Sequence, residues 1–99
     1  MTIESKKDAG RLTFTVAGRL DTSTAPELET TLKTSYDGIT ELVFDLQKLE
    51  YISSAGLRVL LSAQKVMNKQ GSMVIRGASE EVMEIFDVTG FVDILTIES

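Results

Sequence analysis

Cysteine and histidine are both missing from this chain of 99 residues. Without cysteine there can be no disulfide, no thiolate catalysis and no cysteine metal site. Without histidine the chain lacks the usual general base and the commonest metal ligand. The absence of cysteine also fits a protein of the cytoplasm. We therefore expect no metal, no cofactor and a cytoplasmic location.

Long apolar runs and clusters of basic residues are missing as well. No apolar stretch approaches the length that spans a membrane, and segment 1–7 lacks the apolar core of a signal peptide. The net charge of −5 and the isoelectric point near 4.6 argue against nucleic-acid binding. A chain of 99 residues suits a single domain over positions 1–99. We expect an acidic domain that neither binds nucleic acid nor inserts into a membrane.

What the sequence does contain is an alternation of strand and helix patterns. Leu12, Phe14 and Val16 alternate with polar residues, as in a half-buried strand. Apolar positions over 55–69 recur with helical spacing and leave one narrow polar stripe. In chain order the patterns predict strands over 2–6 and 11–17, a helix over 24–36, a strand over 39–46, a helix over 55–69, a strand over 72–76, a helix between Ser79 and Gly90, and an edge strand over 91–97.

The order of these elements predicts the fold class. Helices that follow strands require crossover connections, which make part of the sheet parallel, while the opening hairpin makes the sheet mixed. The first helix has a start signal, since Thr24 and Glu27 have the spacing of a capping box. We predict the α/β class, with a mixed four- or five-stranded sheet and helices packed over it.

Segment 45–61 combines the end of a strand, a short loop over 47–50 and the start of a helix, where Ser53 and Ser54 lie. The first N–H groups of a helix have no internal partner and carry partial positive charge. A serine at this point either accepts one of those N–H groups as an N-cap or carries an added phosphate. The residues alone leave open whether this is a plain helix cap or a phosphorylation site.

Two polar loops have no evident structural duty of their own, one over 21–24 and the other over 53–56. Each loop follows a strand and precedes a helix. In an open α/β sheet such strand ends gather at one edge, and sites form there. Two plain structural roles remain open beside that interpretation: Asp21 suits a local turn, and Gly56 suits a tight contact between helix and sheet.

Enzymatic chemistry has little support in the sequence. Ser54 and Lys65 offer a serine–lysine pair, but a helix separates them by about 16 Å, beyond the distance of proton transfer. No Gly-x-Gly-x-x-Gly or P-loop pattern is present. Glu80 and Glu81 fall at a helix start, where the dipole favours acids. We therefore predict that the chain is not an enzyme.

Several stretches of the chain resemble the signatures of the STAS domain family. Segment 18–21 (Gly-Arg-Leu-Asp) with segment 24–28 resembles the first signature, and segment 42–46 with segment 51–61 resembles the second, more specific one. Segment 86–91 is similar to the closing helix of the family. The resemblance covers essentially the whole chain, and the length is similar to that of the free-standing bacterial members, the anti-sigma-factor antagonists. It implies a STAS-like fold.

The resemblance also implies a mechanism. In that family the antagonist binds an anti-sigma factor that is also a serine/threonine kinase, and this binding frees the sigma factor. The kinase uses ATP to phosphorylate one serine of the antagonist, binding is lost, and a PP2C-type phosphatase restores it. By position the target serine is Ser54. The family often has Asp just before the target serine, whereas this chain has Ser53 there. Two hydroxyls are therefore neighbours, and Ser53 is the second choice for the phosphorylated residue. Asp21 matches the acidic residue of the loop that faces the phosphosite.

A docking surface on the two loops follows from the same resemblance. Its predicted residues are Asp21, Thr22, Ser23, Thr24, Ser53, Ser54, Ala55, Gly56, Leu57 and Arg58. As an alternative function, similar lone STAS domains serve as unphosphorylated subunits of lipid-transport ABC complexes and dock on the ATPase. A third hypothesis is nucleotide binding by the domain itself, which the lack of a phosphate loop disfavours.

Overall fold

The computed structural model describes residues 1–98. The strands in this range are β1 (Thr2–Asp8), β2 (Arg11–Leu20), β3 (Glu41–Asp45), β4 (Leu49–Ile52), β5 (Ser72–Arg76) and β6 (Ile97–Glu98). The helices are α1 (Ala25–Lys33), α2 (Ser54–Gln70) and α3 (Glu80–Thr89), with a 3₁₀ turn at Phe91–Asp93 before β6. None of the helices described combines the length and the apolar character needed to cross a lipid bilayer.

The strands form one mixed sheet in the order β1-β2-β3-β5-β6, and β4 also pairs with β2. β1 is antiparallel to β2, while β3, β4, β5 and β6 each pair in parallel with a neighbour. β2 has ten residues, which is enough to pair with β3 along residues 11–15 and with β4 along residues 18–20. The prediction of a mixed α/β fold is confirmed.

The sheet has six strands within residues 1–98 rather than four or five. The additional strand is β4, part of which the sequence predicts as loop. Leu49 and Ile52 are buried while Glu50 and Tyr51 between them are exposed, so the segment lacks the alternation by which a strand is recognised. Its strand conformation depends on pairing with β2, which is a tertiary contact and leaves no signal within the segment itself.

Helix α1 ends at Lys33 rather than at residue 36. The hydroxyls of Thr34 and Ser35 donate to the carbonyl oxygen of Thr31 at 3.0 and 2.6 Å. Such local bonds offer the backbone an alternative to the helical ladder, which explains the early end. The other helices agree with prediction within a residue or two, and Ser79 caps α3 by accepting from the N–H of Val82 at 3.2 Å.

The edge strand predicted over 91–97 is wrong for most of its length. Gly90 ends α3 in the left-handed conformation, with φ 80°, as its position predicted. The chain then turns through the 3₁₀ helix, and the N–H of Leu95 donates to the carbonyl oxygen of Phe91 at 2.9 Å. Leu95 is buried and Phe91 packs against the core, so the apolar residues here have a helical spacing instead of the strict alternation of a strand.

The core lies between the helices and one face of the sheet. Leu12, Phe14 and Val16 are buried, while Thr13 and Thr15 between them are half-buried, as the alternation predicted. The ring of Phe14 stacks on the ring of Phe44, its register partner on β3, with the ring centroids 5.9 Å apart. The fully covered side chains contributed by the three helices are Leu28, Leu60, Ala63, Met67, Val82 and Phe86.

Candidate functional site

The two polar loops lie side by side, because they follow neighbouring strands. The first loop (residues 21–24) connects β2 to α1, and the second loop (residues 53–56) connects β4 to α2 and includes its first turn. β2 and β4 are parallel neighbours, with a register shift between Gly18 and Arg19. The N–H of Ser53 donates to the carbonyl oxygen of Leu20 at 2.9 Å, which joins the loops directly. The expected gathering of strand ends at one edge is confirmed.

Asp21 holds the first loop in a tight turn. Its Oδ1 accepts from the N–H and the hydroxyl of Ser23 at 3.0 and 2.8 Å, and from the N–H of Thr24 at 3.2 Å. The N–H of Asp21 in turn donates to the Thr24 hydroxyl at 2.8 Å, and that hydroxyl donates to the carbonyl oxygen of Arg19 at 2.9 Å. Thr24 therefore serves the turn. Its side chain makes no cap bond to α1, so the predicted capping box with Glu27 is wrong.

The same turn keeps the Asp21 carboxylate ionised at neutral pH. The hydroxyl of Ser23 donates to it and lowers the pKa of Asp21 below its ordinary value of 3.8. Partial burial raises the pKa, but the N–H groups of Ser23 and Thr24 and the Thr24 hydroxyl lower it further, and the net shift is downward. The local-turn role that the sequence left open for Asp21 is therefore observed, together with a fixed negative charge beside the second loop.

Ser53 and Ser54 have different surroundings. Ser53 is the N-cap of α2, with φ −94° and ψ 175°, and its hydroxyl accepts from the N–H of Gly56 at 3.4 Å. Ser54 is the first residue of the helix and is exposed. Its hydroxyl has no hydrogen-bond partner anywhere in residues 1–98. The cap role that the sequence left open for both serines thus falls to Ser53 alone.

Gly56 and Leu57 face the protein interior. A Cβ on Gly56 would lie 2.8 Å from Ile52 Cγ1, 2.8 Å from Leu20 Cγ and 3.0 Å from the Leu20 carbonyl oxygen. The tight helix–sheet contact that the sequence left open for Gly56 is therefore observed. Leu57 is 4% exposed and belongs to the core. Gly56 and Leu57 are both buried, so their inclusion in the predicted docking surface is wrong: they position α2 against the sheet and offer no surface to a partner.

Arg58 lies one helical turn after Ser54, and both side chains are exposed. Arg58 lines a shallow groove of about 280 Å³ between α1 and α2. The walls of the groove are formed by Thr22, Ala25, Pro26, Glu29, Ala55, Arg58, Val59 and Ser62. The groove therefore joins the first loop to the exposed face of α2. Three of the predicted docking residues, Thr22, Ala55 and Arg58, share it.

Arg19 and Tyr51 belong to the same edge and were not among the predicted residues. They are register partners in the β2–β4 pairing. The Arg19 Cζ lies 4.4 Å from the centroid of the Tyr51 ring, which is a cation–π contact. The Arg19 Nε also lies 3.9 Å from Asp21 Oδ2. No sequence spacing predicts this contact, because it depends on the register of two parallel strands that are distant in the chain.

Neither a metal site nor a second cavity in residues 1–98 includes the predicted site residues. Within residues 1–98 no three side chains of histidine, cysteine, aspartate or glutamate are grouped so as to hold a metal ion. A larger cavity of about 600 Å³ lies between the end of β5, α3 and β6, and none of the predicted site residues lines it. Its walls are Gly77, Ala78, Met83, Val92, Leu95, Ile97 and Glu98.

The architecture defines a class of protein: a small mixed α/β domain whose polar loops follow parallel strands and meet at one edge of the sheet. The STAS domain family model matches residues 2–99. The anti-sigma-B factor antagonist of Listeria monocytogenes is 33% identical over 103 residues, covering 100% of this chain and 90% of that relative. The anti-sigma-B factor antagonist of Bacillus subtilis is 30% identical over 98 residues, covering 98% of this chain and 90% of that relative.

A solved structure has the same fold. The phosphorylated form of the Bacillus cell fate determinant SpoIIAA superimposes with a TM-score of 0.77 at 13% identity. The superposition covers 99% of this chain and 92% of that one. The present chain belongs to the STAS domain family.

Proposed function

We propose that this protein is an anti-sigma-factor antagonist of the cytoplasm, a regulatory protein that sequesters an anti-sigma factor and so frees a sigma factor. The anti-sigma factor is also a serine kinase, which transfers the γ-phosphoryl group of ATP to the Ser54 hydroxyl and releases ADP. The phosphorylated form no longer binds. A PP2C-type phosphatase hydrolyses the phosphoserine and restores binding. Two relatives named anti-sigma-B factor antagonists support the proposal, as does the existence of a phosphorylated form of SpoIIAA, which has the same fold.

The observation that carries the proposal is the state of the Ser54 hydroxyl. A kinase needs a hydroxyl that is exposed and not committed to the fold, and Ser54 meets both requirements within residues 1–98. Ser53 is less suited, because it is half-buried and its oxygen accepts from Gly56. This difference favours Ser54 as the modified residue and leaves Ser53 as the second choice.

Electrostatics supports loss of binding as the consequence of phosphorylation. A phosphoserine carries about −1.5 to −2 charges at neutral pH. Here that charge would stand beside the ionised Asp21, in a chain that already has a net charge of −5. A partner that covers the loops would have to remove water from the phosphate, and an ion buried without a compensating partner is costly. Coupling of about 3 kcal/mol is enough to weaken binding by a factor of roughly a hundred.

The fold itself should tolerate the phosphate. The first turn of α2 presents N–H groups and the positive end of the helix dipole, where anions are favoured. Phosphorylation at Ser54 is therefore expected to change the surface without unfolding the domain. The regulated quantity is the affinity for the partner.

The test starts by capturing the partner from the source cell with the purified chain and identifying it by mass spectrometry. The identified kinase is then purified and incubated with ATP and the wild-type chain, Ser54→Ala or Ser53→Ala. We expect one phosphate on the wild type and on Ser53→Ala, none on Ser54→Ala, and loss of the complex after modification. The matched alanine variants separate the two neighbouring hydroxyls.

Three results would contradict the proposal. Phosphate on neither serine would exclude the switch, and a phosphorylated chain that binds the kinase as tightly as before would exclude its proposed effect. Recovery of a lipid-transporter ATPase in place of a soluble kinase would favour the alternative function, that of an unphosphorylated STAS subunit of an ABC complex.

A further inference from the structure

The Arg19–Tyr51 pair stands out on the surface of this domain. Tyr51 is one of the large hydrophobic side chains in residues 1–98 that remain exposed, the others being Val88 and Ile94. The Arg19 side chain is 60% exposed and covers part of the ring, with its Cζ 4.4 Å from the centroid. An exposed aromatic ring with a guanidinium over its face combines an apolar surface with a positive charge.

The hydrogen-bonding capacity of Arg19 is unused. Its Nε lies 3.9 Å from Asp21 Oδ2, too far for a hydrogen bond, and its guanidinium makes none within residues 1–98. Arg76, by contrast, donates from two nitrogens to Glu98 at 3.3 and 3.2 Å. A guanidinium has five N–H donors in a planar fork that matches a carboxylate. Arg19 thus lies over the Tyr51 ring and near Asp21, and its N–H donors have no hydrogen-bond partner within residues 1–98.

We propose that Arg19 and Tyr51 form an anchor point of the docking surface, and that the anti-sigma factor covers it with an acidic side chain on Arg19 beside an apolar side chain on Tyr51. This inference rests on the proposed function and extends its surface beyond the two loops. The anchor is continuous with those loops, since Arg19 lies two residues before Asp21 and Tyr51 two residues before Ser53. Arg19 and Tyr51 also lie on adjacent strands, β2 and β4, and each strand leads into one of the two loops.

Local charge complementarity to the Arg19 guanidinium, and not the net charge of the chain, is the reason for an acidic partner residue. The chain has a net charge of −5, so its overall field repels an acidic group. A carboxylate can dock only where a cation is available locally, and Arg19 provides one with free donors. Arginine and tyrosine are also enriched among the residues that dominate binding energy at interfaces, and tyrosine offers a large contact area at little cost in conformational freedom.

A purely structural role for the pair makes a different prediction. If Arg19 only covers the Tyr51 ring, its removal should lower the free energy of unfolding and leave partner affinity unchanged. Both quantities are therefore measured for every variant: the dissociation constant with the purified anti-sigma kinase by calorimetry, and the free energy of unfolding in urea. The variants are Arg19→Gln, Arg19→Glu, Tyr51→Ala, Tyr51→Phe and the control Arg11→Gln.

Arg11 is a matched control, because it is an exposed arginine on the same strand, 3.4 Å from Glu41, at the end of β2 away from the loops. We expect Arg19→Gln and Tyr51→Ala to weaken binding by about tenfold or more, a loss typical of anchor residues. Tyr51→Phe keeps the ring and should bind within about twofold of the wild type, as should Arg11→Gln. Arg19→Glu should weaken binding more than any other variant. Replacing the acidic residue of the kinase that contacts position 19 with a basic residue should restore binding of Arg19→Glu.

Wild-type affinity in both Arg19→Gln and Tyr51→Ala would overturn this inference and leave the proposed function standing. Equal losses in Arg19→Gln and Arg11→Gln would also overturn it, since the effect would then be one of net charge. If the wild-type chain binds no anti-sigma kinase at all, the proposed function fails, and the anchor fails with it.

Discussion

The Ser53 hydroxyl accepts the N–H of Gly56, whereas the hydroxyl of Ser54 meets no hydrogen-bonding group in residues 1–98. The two side chains are adjacent in sequence and chemically identical. The difference arises because Ser53 has the extended backbone of an N-cap, with ψ 175°, while Ser54 has entered the helix. The Ser53 hydroxyl therefore supports the helix, whereas the Ser54 hydroxyl is exposed and contributes no such bond.

The first prediction concerns stability. Ser53→Ala should lower the free energy of unfolding by about 0.5–1 kcal/mol, the lower part of the range for N-caps, because the cap bond is long at 3.4 Å. Ser54→Ala should change it by less than about 0.5 kcal/mol, as is usual for an exposed residue without such a bond. Urea unfolding of both variants checks this, and the reverse order of effects would show that the assignment of the cap is wrong.

The second prediction concerns a mimic of the phosphorylated state. Ser54→Asp should weaken binding of the anti-sigma kinase substantially, because it places a permanent negative charge beside Asp21. It should not lower the unfolding free energy, since an acid in the first turn is favoured by the helix dipole. Calorimetry and urea unfolding measure the two effects. Ser54→Asn, of nearly the same size but neutral, is the control, and an equal loss of affinity in both variants would point to shape instead of charge.

The third prediction concerns the close contact under α2. Gly56→Ala would place a methyl group 2.8 Å from side-chain carbons of Ile52 and Leu20. Overpacking of this kind costs about 1–3 kcal/mol, so the unfolding free energy should fall by that amount. Lys65→Ala, at an exposed position of the same helix, is the control and should change it by less than about 0.5 kcal/mol. Equal stability of Gly56→Ala and the wild type would contradict the observed contact.

The fourth prediction concerns pH. The pKa of Asp21 is lowered in the folded protein, chiefly by the Ser23 hydroxyl, so the ionised carboxylate stabilises the fold. That stabilisation is complete above the ordinary value of 3.8 and is lost as the pH falls through the lowered pKa. Asp21→Asn should therefore be less stable than the wild type at pH 7, and the difference should shrink as the pH drops below 3.8.

Urea unfolding of wild type and Asp21→Asn between pH 7 and pH 3 provides the measurement. Asp37→Asn serves as the control, because Asp37 is exposed and its side chain makes no hydrogen bond within residues 1–98. It should change the unfolding free energy at pH 7 by less than about 0.5 kcal/mol. A stability difference for Asp21→Asn that stays constant from pH 7 to pH 3 would show that the charge of Asp21 plays no part.

Periodicity predicted most of the architecture, because the residues that form the core also set the pattern. The alternation of Leu12, Phe14 and Val16 predicted β2, and the helical spacing over 55–69 predicted α2 almost to its ends. β4 was missed because its conformation depends on pairing with β2, which the four residues of the strand do not encode by themselves. The strand predicted over 91–97 is wrong because so short an apolar run does not distinguish a strand from a helical turn.

The position of the two loops at one edge of the sheet was predicted from the sequence, and the structure adds the contacts within them. The sequence indicated both loops, since each is a polar segment that follows a strand and precedes a helix. It did not separate Ser53 from Ser54, because a shift of one residue in the helix start exchanges their roles. The Thr24 hydroxyl could accept either from an N–H group in the first turn of α1 or from the N–H of Asp21. It accepts from Asp21 and does not cap α1. The Arg19–Tyr51 contact required the strand register.

The 2.9 Å bond between the N–H of Ser53 and the carbonyl oxygen of Leu20 has a consequence for the speed of complex formation. It joins the two loops in the chain without a partner, so we expect that no rearrangement of one loop relative to the other precedes binding. The association rate should therefore be set by diffusion and orientation, in the usual range of about 10⁵–10⁷ M⁻¹s⁻¹ for preformed surfaces. Phosphorylation would then act mainly on how long the complex lasts.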